Sequence, residues 1–511
     1  MPPAASSSTR SSTAIQASRP LASSATSSTR RGSVSSGSTI AAGKRDARHR
    51  RWRHRQPCPR RTGWAGVASA YEQLPGEDGW PIVGSIPSFS REPLAFLTEL
   101  RSEHGSLARF RMGGLDYVLL ADPAGIEQVL VTEDDSFEKH EYLRDTLGDV
   151  IGGGLLAAEG GTWRTQRQLA QPDFRPERVR DYAGPMVGHT EDLLDGWRRH
   201  GHRDLHEDAS QLTLRIAAET LFGVDVDDRA DEIGAALDDV MQRFRADRRL
   251  LAMVPKSWPL PANRRYQRGV ETLHGVVDDL IDEHEPGQDR VDLMSRLIQN
   301  YREHGEAMDR SRLRDELVTF LLAGHETTAL ALTWTLWLLA SHPEIQAELS
   351  EELASHAGGD ATPAALADVG LLDAVIDEAM RLLPPVWAIG RQAVEDVEIA
   401  GRRLPAGTQV MTSQWVVHRD PQLWEAPGTF DPQRWLDGRA GDKPRFAHFP
   451  FGGGPRTCIG DTFAMLELRL CLARILQTME IRPGRDERPP LDPSLTLRPG
   501  EPVPIVAETR S

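Results

Sequence analysis

The 511-residue sequence predicts one large, mainly α-helical domain with a small β region, preceded by a disordered basic extension. Three observations carry this prediction. Helical spacing of apolar residues dominates the body and culminates in LLAGHETTALALTWTLWLLA, the most apolar stretch of the chain. Two short patches alone read as β structure, one near residue 110 and one near residue 400. Residues 1–75 are of a different kind, with low-complexity Ser/Thr/Arg followed by the basic run RHRRWRHRQPCPRR, and such a composition cannot bury a core.

The extension comes first in the chain. It is read as unstructured; an organelle transit peptide and a basic arm touching nucleic acid or membrane are the other readings its composition allows. It has no apolar segment of the kind a secretory signal needs. Residues 1–61 hold thirteen Lys and Arg against one acidic residue, about +12, so the net −15 leaves about −27 on the remainder. An acidic body of this size speaks against a nucleic-acid partner. Hydrophobic content of 39% and charged content of 26% are ordinary for a globular protein. The three cysteines, Cys58, Cys458 and Cys471, form no C-x-x-C pair and are odd in number, which indicates neither a disulfide framework nor a zinc ribbon and leaves a reducing cytosol as the default.

The folded body, residues 76–511, starts around GWPIVGSIP. Leu107–Met112 and Tyr117–Ala121, joined through Gly113-Gly114, form a β-hairpin pattern. Helical patterns follow at Pro123–Val131, Trp163–Leu169, His189–Trp197, Ala209–Leu221, Ile233–Phe244, Val270–His284 and about 312–340. The last holds His325 and Glu326 inside a longer amphipathic pattern, so it is a buried central helix and not a membrane span. VEIAGRRLPAGTQVMTSQ supplies the second β patch, and AMLELRLCLARIL a late helix in which Cys471 is a buried, inert thiol. No internal repeat and no later linker interrupts the body.

The chemistry concentrates in FPFGGGPRTCIG, Phe449 to Gly460. A dinucleotide-binding glycine loop should follow a strand in a βαβ unit, but here KPRFAHFPF precedes it; a phosphate loop would need a lysine that is missing. The alternative is that Cys458 binds a metal as a lone thiolate. That suits haem iron, whose porphyrin supplies the four in-plane ligands. The glycines let the loop lie close to the macrocycle. Freed N–H groups and the following helix N-terminus stabilise the sulfur's charge. Arg456 can reach a carboxylate such as a haem propionate.

The pattern F-x-x-G-x-R-x-C-x-G, present as Phe451, Gly454, Arg456, Cys458 and Gly460, resembles the haem-binding signature of the cytochrome P450 family. Three further motifs stand in that family's order. AGHETT, Ala323 to Thr328, resembles the oxygen-binding segment of its long central helix, where a glycine and adjacent threonines can open the helix locally. Glu326 and Thr327 then form an acid–alcohol pair for proton delivery. A zinc-protease H-E-x-x-H is excluded because Ala329 stands where the second histidine is required. EAMR, Glu378 to Arg381, with Arg434 downstream, resembles the family's Glu–Arg–Arg cluster, a folding device and not a reaction centre. WRTQR resembles the helix whose Trp163 and Arg167 bind a haem propionate; Arg391, just before the second β patch, matches another propionate ligand, and His418 stays structural.

The resemblance spans about residues 79–507. It implies the cytochrome P450 fold, a triangular helical prism with haem b (iron protoporphyrin IX) between the central helix and the Cys458 loop. It implies monooxygenation of a small apolar substrate by O2, with thiolate ligation favouring O–O cleavage. About fifty residues follow Cys458 and carry no flavin motif, so electrons are expected from a separate ferredoxin or flavodoxin with an NAD(P)H reductase. No membrane anchor precedes residue 79, and a cytoplasmic enzyme is expected. Residues 140–156, 243–260 and those after Pro385, notably Val386 and Trp387, are expected to shape the pocket. The rival functions are a haem-thiolate isomerase or peroxygenase, which needs no electron donor, and a non-enzymatic haem sensor.

Overall fold

A computed structural model describes residues 71–223, 227–244, 256, 258–284, 292–303, 309–357 and 361–510. Residues 1–70 of the expected extension, and most of the expected pocket segment 243–260, lie outside the described residues. Residues 71–75 belong to the folded body and not to the extension: Tyr71 and Leu74 are buried, and the Tyr71 hydroxyl lies 2.9 Å from the Phe110 carbonyl and 3.1 Å from that of Tyr117.

Twelve helices of eight residues or more occur among the described residues. They are α1 (Pro93–His104), α2 (Glu141–Ile151), α3 (Gly160–Ala170), α4 (Ala183–Arg199), α5 (Leu205–Phe222), α6 (Asp227–Met241), α7 (Pro261–Glu283), α8 (Leu293–Glu303), α9 (Arg310–Ser341), α10 (Pro343–Ala357), α11 (Gly370–Leu382) and α12 (Asp461–Thr478). The principal sheet has the order β1-β2-β8-β5-β3, from Leu107–Met112, Leu115–Leu120, Gln409–Thr412, Ile389–Ala393 and Phe137–Lys139. Strand β2 pairs in parallel with β8, and the other neighbours are antiparallel. Smaller ladders join β4 (His202–Asp204), β12 (Pro504–Thr509) and β9 (Met479–Pro483), then β6 (Val397–Ile399) with β7 (Arg402–Leu404), and β10 (Leu491–Pro493) with β11 (Leu497–Pro499).

The β1–β2 turn needs positive φ at both central positions, and Gly113 (φ 58°) and Gly114 (φ 85°) supply it without a Cβ penalty. The expected helix over Pro123–Val131 is shorter, ending at Glu127 and continuing as one π turn to Thr132. Arg391 lies inside β5, not before the β region as the sequence suggested. That strand was hidden because IGRQA has no clear alternation of apolar residues.

Helix α9 organises the body. It begins where the Asp309 side chain accepts the Arg312 N–H at 3.0 Å and stops at His342, before Pro343. Of its 32 residues 23 are buried, so it crosses protein and not lipid; no helix of the described residues is long and apolar enough to cross a membrane. Its N-terminal half, through Leu322, belongs to one hydrophobic core with α2, α5–α8 and Trp163 of α3. Its C-terminal half, from Ala329, belongs to a second core with α4, α11, α12 and the sheets. The interval between the two cores is AGHETT.

Candidate active site

Where α9 passes between the cores, its burial breaks on one face. Ala323 is exposed and Gly324 and Thr327 are half-buried, while His325, Glu326 and Thr328 are buried. Residues three and four apart share a helix face, so Ala323, Gly324 and Thr327 form one open stripe. A Cβ built on Gly324 meets nothing within 4 Å. The expected local opening of the helix does not interrupt it: α9 is continuous, and the Thr327 hydroxyl donates to the Ala323 carbonyl at 2.6 Å.

The Cys458 loop is shaped by close approach. Gly454 has φ 70°, and a Cβ there would stand 1.8 Å from the Leu130 carbonyl oxygen. The Cys458 N–H donates to Phe451 O at 3.0 Å, and the Thr457 hydroxyl to the same oxygen at 3.3 Å. The Cys458 residue is solvent-accessible and yet closely surrounded by protein. Burial pushes its pKa up; the Gly460 N–H, donating to the sulfur, and the Arg167 charge act against this, and Asp461 adds to it. A bare thiol here therefore keeps its proton, and a bound cation is what would replace it. Gly460 lies beside Phe174, which packs on Phe320 of α9 at 5.3 Å between ring centroids, and Ala323 follows one turn later.

The predicted basic residues divide into two groups. Arg167 donates to the Thr457 carbonyl at 2.9 Å and feels the charges of Cys458 and Asp461, so it attends the sulfur side of the loop. Arg456 donates to Phe137 O at 2.9 Å and to Glu159 at 3.1 Å, lies 3.3 Å from Asp134, and sits over the Trp163 ring at 5.5 Å. Buried Arg391 joins this second group. Burial and then the like charge of Arg456 lower its pKa to about 10, with Asp134 and Glu159 acting the other way. The structure thus gathers Arg456, Arg391 and Trp163, while Arg167, one turn after Trp163 on α3, bonds the carbonyl of Thr457, the residue next to Arg456.

Three residues of this cluster escaped sequence reasoning. Asp134 and Glu159 carry no motif. Lys139, one of only four lysines in the chain, had rarity as its one signal. Its ammonium donates to the Leu155 and Ala158 carbonyls at 2.8 and 3.0 Å, and burial brings its pKa down to about 7 against the pull of Glu159. Trp387, expected at the pocket, is buried, donates to Ser494 O at 3.1 Å and packs near Phe89; Val386 beside it is half-buried.

Glu326 lies elsewhere than its sequence neighbour. Its carboxylate accepts from Arg498 of β11 through both oxygens and from the Thr496 hydroxyl at 3.1 Å. Burial alone would raise its pKa, but the Arg498 charge and hydrogen bonds overcome that and hold it at about 2. The acid and the alcohol of the expected pair therefore face different elements.

The Cytochrome P450 family model matches residues 74–505. The chain belongs to the cytochrome P450 family. Curated relatives include Cyclooctatin synthase of Streptomyces melanosporofaciens, 36% identical over 436 residues, covering 83% of this chain and 94% of that protein. Cyclooctat-9-en-7-ol 5-monooxygenase of the same species is 33% identical, covering 82% and 93%, and Pentalenene oxygenase of Streptomyces avermitilis 34%, covering 80% and 92%. The chain is accordingly a P450 monooxygenase, with haem as cofactor and a need for O2 and a redox partner. Its residues fit such a group. Accessible Cys458 stands alone: among the described residues no cluster of three or more His, Cys, Asp or Glu side chains could hold a metal, so an ion on Cys458 must bring its other ligands. The Nε atoms of Arg391 and Arg456 are buried without hydrogen-bond partners, as donors awaiting an anionic oxygen would be.

Proposed function

We propose that this P450 inserts one oxygen atom of O2 into a small apolar substrate of the cyclic terpenoid class, using haem b bound through Cys458. The observation that carries the cofactor assignment is Cys458, solvent-accessible yet closely surrounded by protein, in a loop whose glycines allow close backbone approach. The substrate class rests on the named relatives and on apolar residues left short of full burial, among them exposed Ala323 and half-buried Val386 and Leu495.

Bound haem supplies the oxygen activation, for which a thiolate ligand is suited. The chain's own residues do the rest. The Gly460 N–H and the Arg167 guanidinium hold negative charge on the Cys458 sulfur. Arg456 and Arg391 receive the propionates, with Trp163 beneath Arg456 fixing its plane. Thr327 presents a hydroxyl on the open stripe of α9 and hands protons onward, and Glu326 is the buried carboxylate that works with it in proton delivery. Electrons come from a ferredoxin or flavodoxin served by an NAD(P)H reductase, and the enzyme works in the cytoplasm.

The test is the absorption spectrum of the dithionite-reduced protein with carbon monoxide. A strongly red-shifted Soret band, lost in Cys458→His, is the expected result; a histidine-like Soret in the unaltered protein overturns the assignment. Titration with cyclic terpene hydrocarbons should then shift the ferric Soret band, and a panel that leaves it unmoved while fatty acids shift it would overturn the substrate class.

A further inference from the structure

Seven large apolar side chains are exposed among the described residues, and four of them, Trp80, Ile82, Val83 and Leu115, gather at one corner of the body. The other three, Trp258, Val394 and Leu436, belong to three separate stretches of chain. At this corner Trp80 and Gly84 close a tight loop by donating to each other's carbonyls, at 2.9 and 2.8 Å. Inside the loop the Val83 N–H donates to the Pro81 carbonyl at 2.9 Å, a three-residue turn centred on Ile82, whose φ is 72°. That is the strained hand of the γ-turn, which a β-branched residue rarely takes. The loop is fastened to the β1–β2 hairpin: Gly84 pairs with Met112, the Gly113 N–H donates to the Val83 carbonyl at 3.3 Å, and Leu115 stands opposite Met112 in the register. Ile82 is 94% exposed and Trp80 67%, so the core holds neither. Glycine or asparagine would sit at position 82 with less strain, and an isoleucine there gains nothing inside the fold to offset it.

The acidic residues bordering the corner are matched within the fold. Asp78 pairs with Arg109 at 2.5 Å, Asp116 with Arg111 at 3.0 Å, and Glu72 lies 3.8 Å from Arg111; Glu77 is half-buried. The chain enters the body at the same hairpin, since the Tyr71 hydroxyl bonds the Phe110 and Tyr117 carbonyls. Nine residues, 62–70, join Tyr71 to residues 44–61, a run that holds nine Lys and Arg, one acidic residue and Trp52. An apolar corner and a dense basic run thus stand a few residues apart in a chain whose remaining body is strongly acidic.

We propose that the Trp80–Leu115 corner and the basic run together form a docking surface for an anionic lipid bilayer, with Trp80 and Ile82 entering the interface and the arginines resting on the headgroups. Reversible attachment to a membrane surface takes two signals of this kind, an apolar insertion and a polybasic segment. Tryptophan favours the interface between lipid and water, and a basic cluster of this density draws anionic headgroups. The attachment is interfacial, because no helix of the described residues is long and apolar enough to cross a bilayer. Nucleic acid would satisfy the charge of the run but has no use for an exposed Trp-Pro-Ile-Val loop. A second copy of the chain would cover the corner but bring two basic runs together. An apolar terpenoid partitions into lipid, so a bilayer is where such a substrate accumulates. That last link rests on the substrate class proposed above; the docking itself does not.

The experiment is co-sedimentation of the full-length holoenzyme with vesicles of phosphatidylcholine alone and of phosphatidylcholine mixed with phosphatidylglycerol, at low and at high salt. Two variants accompany it, Trp80→Gln/Ile82→Asn and Arg50→Gln/Arg51→Gln/Arg53→Gln/Arg55→Gln. Each is first shown to give the thiolate-type ferrous–CO spectrum, which keeps a failed cofactor assignment separate. Asparagine accepts a left-handed backbone better than isoleucine, so the corner variant should fold. The expected result is binding to the mixed vesicles that weakens with salt, and little binding to phosphatidylcholine alone. Each variant should lower the partition by about tenfold or more. Absence of binding to the mixed vesicles overturns the proposal. So does a corner variant that binds as well as the unaltered protein, since charge alone would then hold the chain. If that variant fails to fold, Leu115→Gln carries the test, and undiminished binding in it has the same meaning. A dimer seen by sedimentation without vesicles, and dissolved by the corner variant, assigns the corner to a second copy and overturns the docking. Tighter binding to a DNA or RNA fragment than to the mixed vesicles at equal salt overturns it as well, and assigns the run to nucleic acid.

Discussion

Replacing Glu378 by glutamine changes one buried oxygen to an amide and almost nothing in shape. Glu378 is 0% exposed. Its oxygens accept from two nitrogens of Arg381 at 2.8 Å each, from Arg434 at 3.0 Å, from the Asp431 N–H at 3.0 Å and from the Trp435 indole at 3.0 Å. Five donors converge on the two oxygens, so a glutamine must turn its own NH2 toward N–H groups. Arg381 cannot withdraw, because it also donates to the carbonyls of His418, Pro427 and Thr429. Arg381 is then left without its carboxylate, and Arg434 keeps only Asp431, at 3.8 Å. Removing one partner of a buried ion pair costs ~3–5 kcal/mol. With an unfolding entropy of ~2.1 cal/mol/K per residue, a body of about 440 residues has about 0.9 kcal/mol/K, and the melting midpoint should fall by about 3–5 °C. The assay is thermal unfolding by circular dichroism at matched haem content. Haem retention should fall as well, since His418 beside the cluster accepts the Phe449 N–H at 3.0 Å at the start of the cysteine loop. A midpoint within about 1 °C of the unaltered protein, with haem fully retained, would refute the reasoning from buried charge.

Gly454→Ala puts a Cβ 1.8 Å from a backbone oxygen at φ 70°; a left-handed non-glycine residue alone costs ~1–2 kcal/mol, so the loop must move and haem loading should drop, read as the haem-to-protein absorbance ratio. Thr327→Ala removes the hydroxyl on the open stripe and should divert NAD(P)H electrons into peroxide; unchanged coupling would sink its role in proton delivery. Acid stability carries the signature of Glu326, whose pKa is about 2 in the fold against an ordinary 4.5. A depressed carboxylate contributes stability that is fully present above the ordinary value and is lost as pH falls from about 4.5 toward 2. Glu326→Gln should therefore flatten that part of the stability–pH curve, measured by denaturant unfolding.

Readable from the amino-acid order alone were the helical body, the central helix, the hairpin at Gly113-Gly114, and the short loop in which Cys458 and Arg456 stand two residues apart. These are local matters: apolar period, glycine placement and the spacing of ligands within one loop survive in a single stretch of chain. The Glu378–Arg381 pair was legible for the same reason, as one helical turn. The remaining decisions belonged to tertiary structure, because they join residues with no sequence relation. Arg498 meets Glu326 across 172 positions, and Arg456 meets Glu159 across 297. No pattern in TLRPGE announces a partner for the central helix. Adjacency in sequence did not show that Glu326 and Thr327 face different elements. A helix turns each successive residue by about 100°, and it is the packing of β11 on one face and the open stripe on another that decides where each side chain ends.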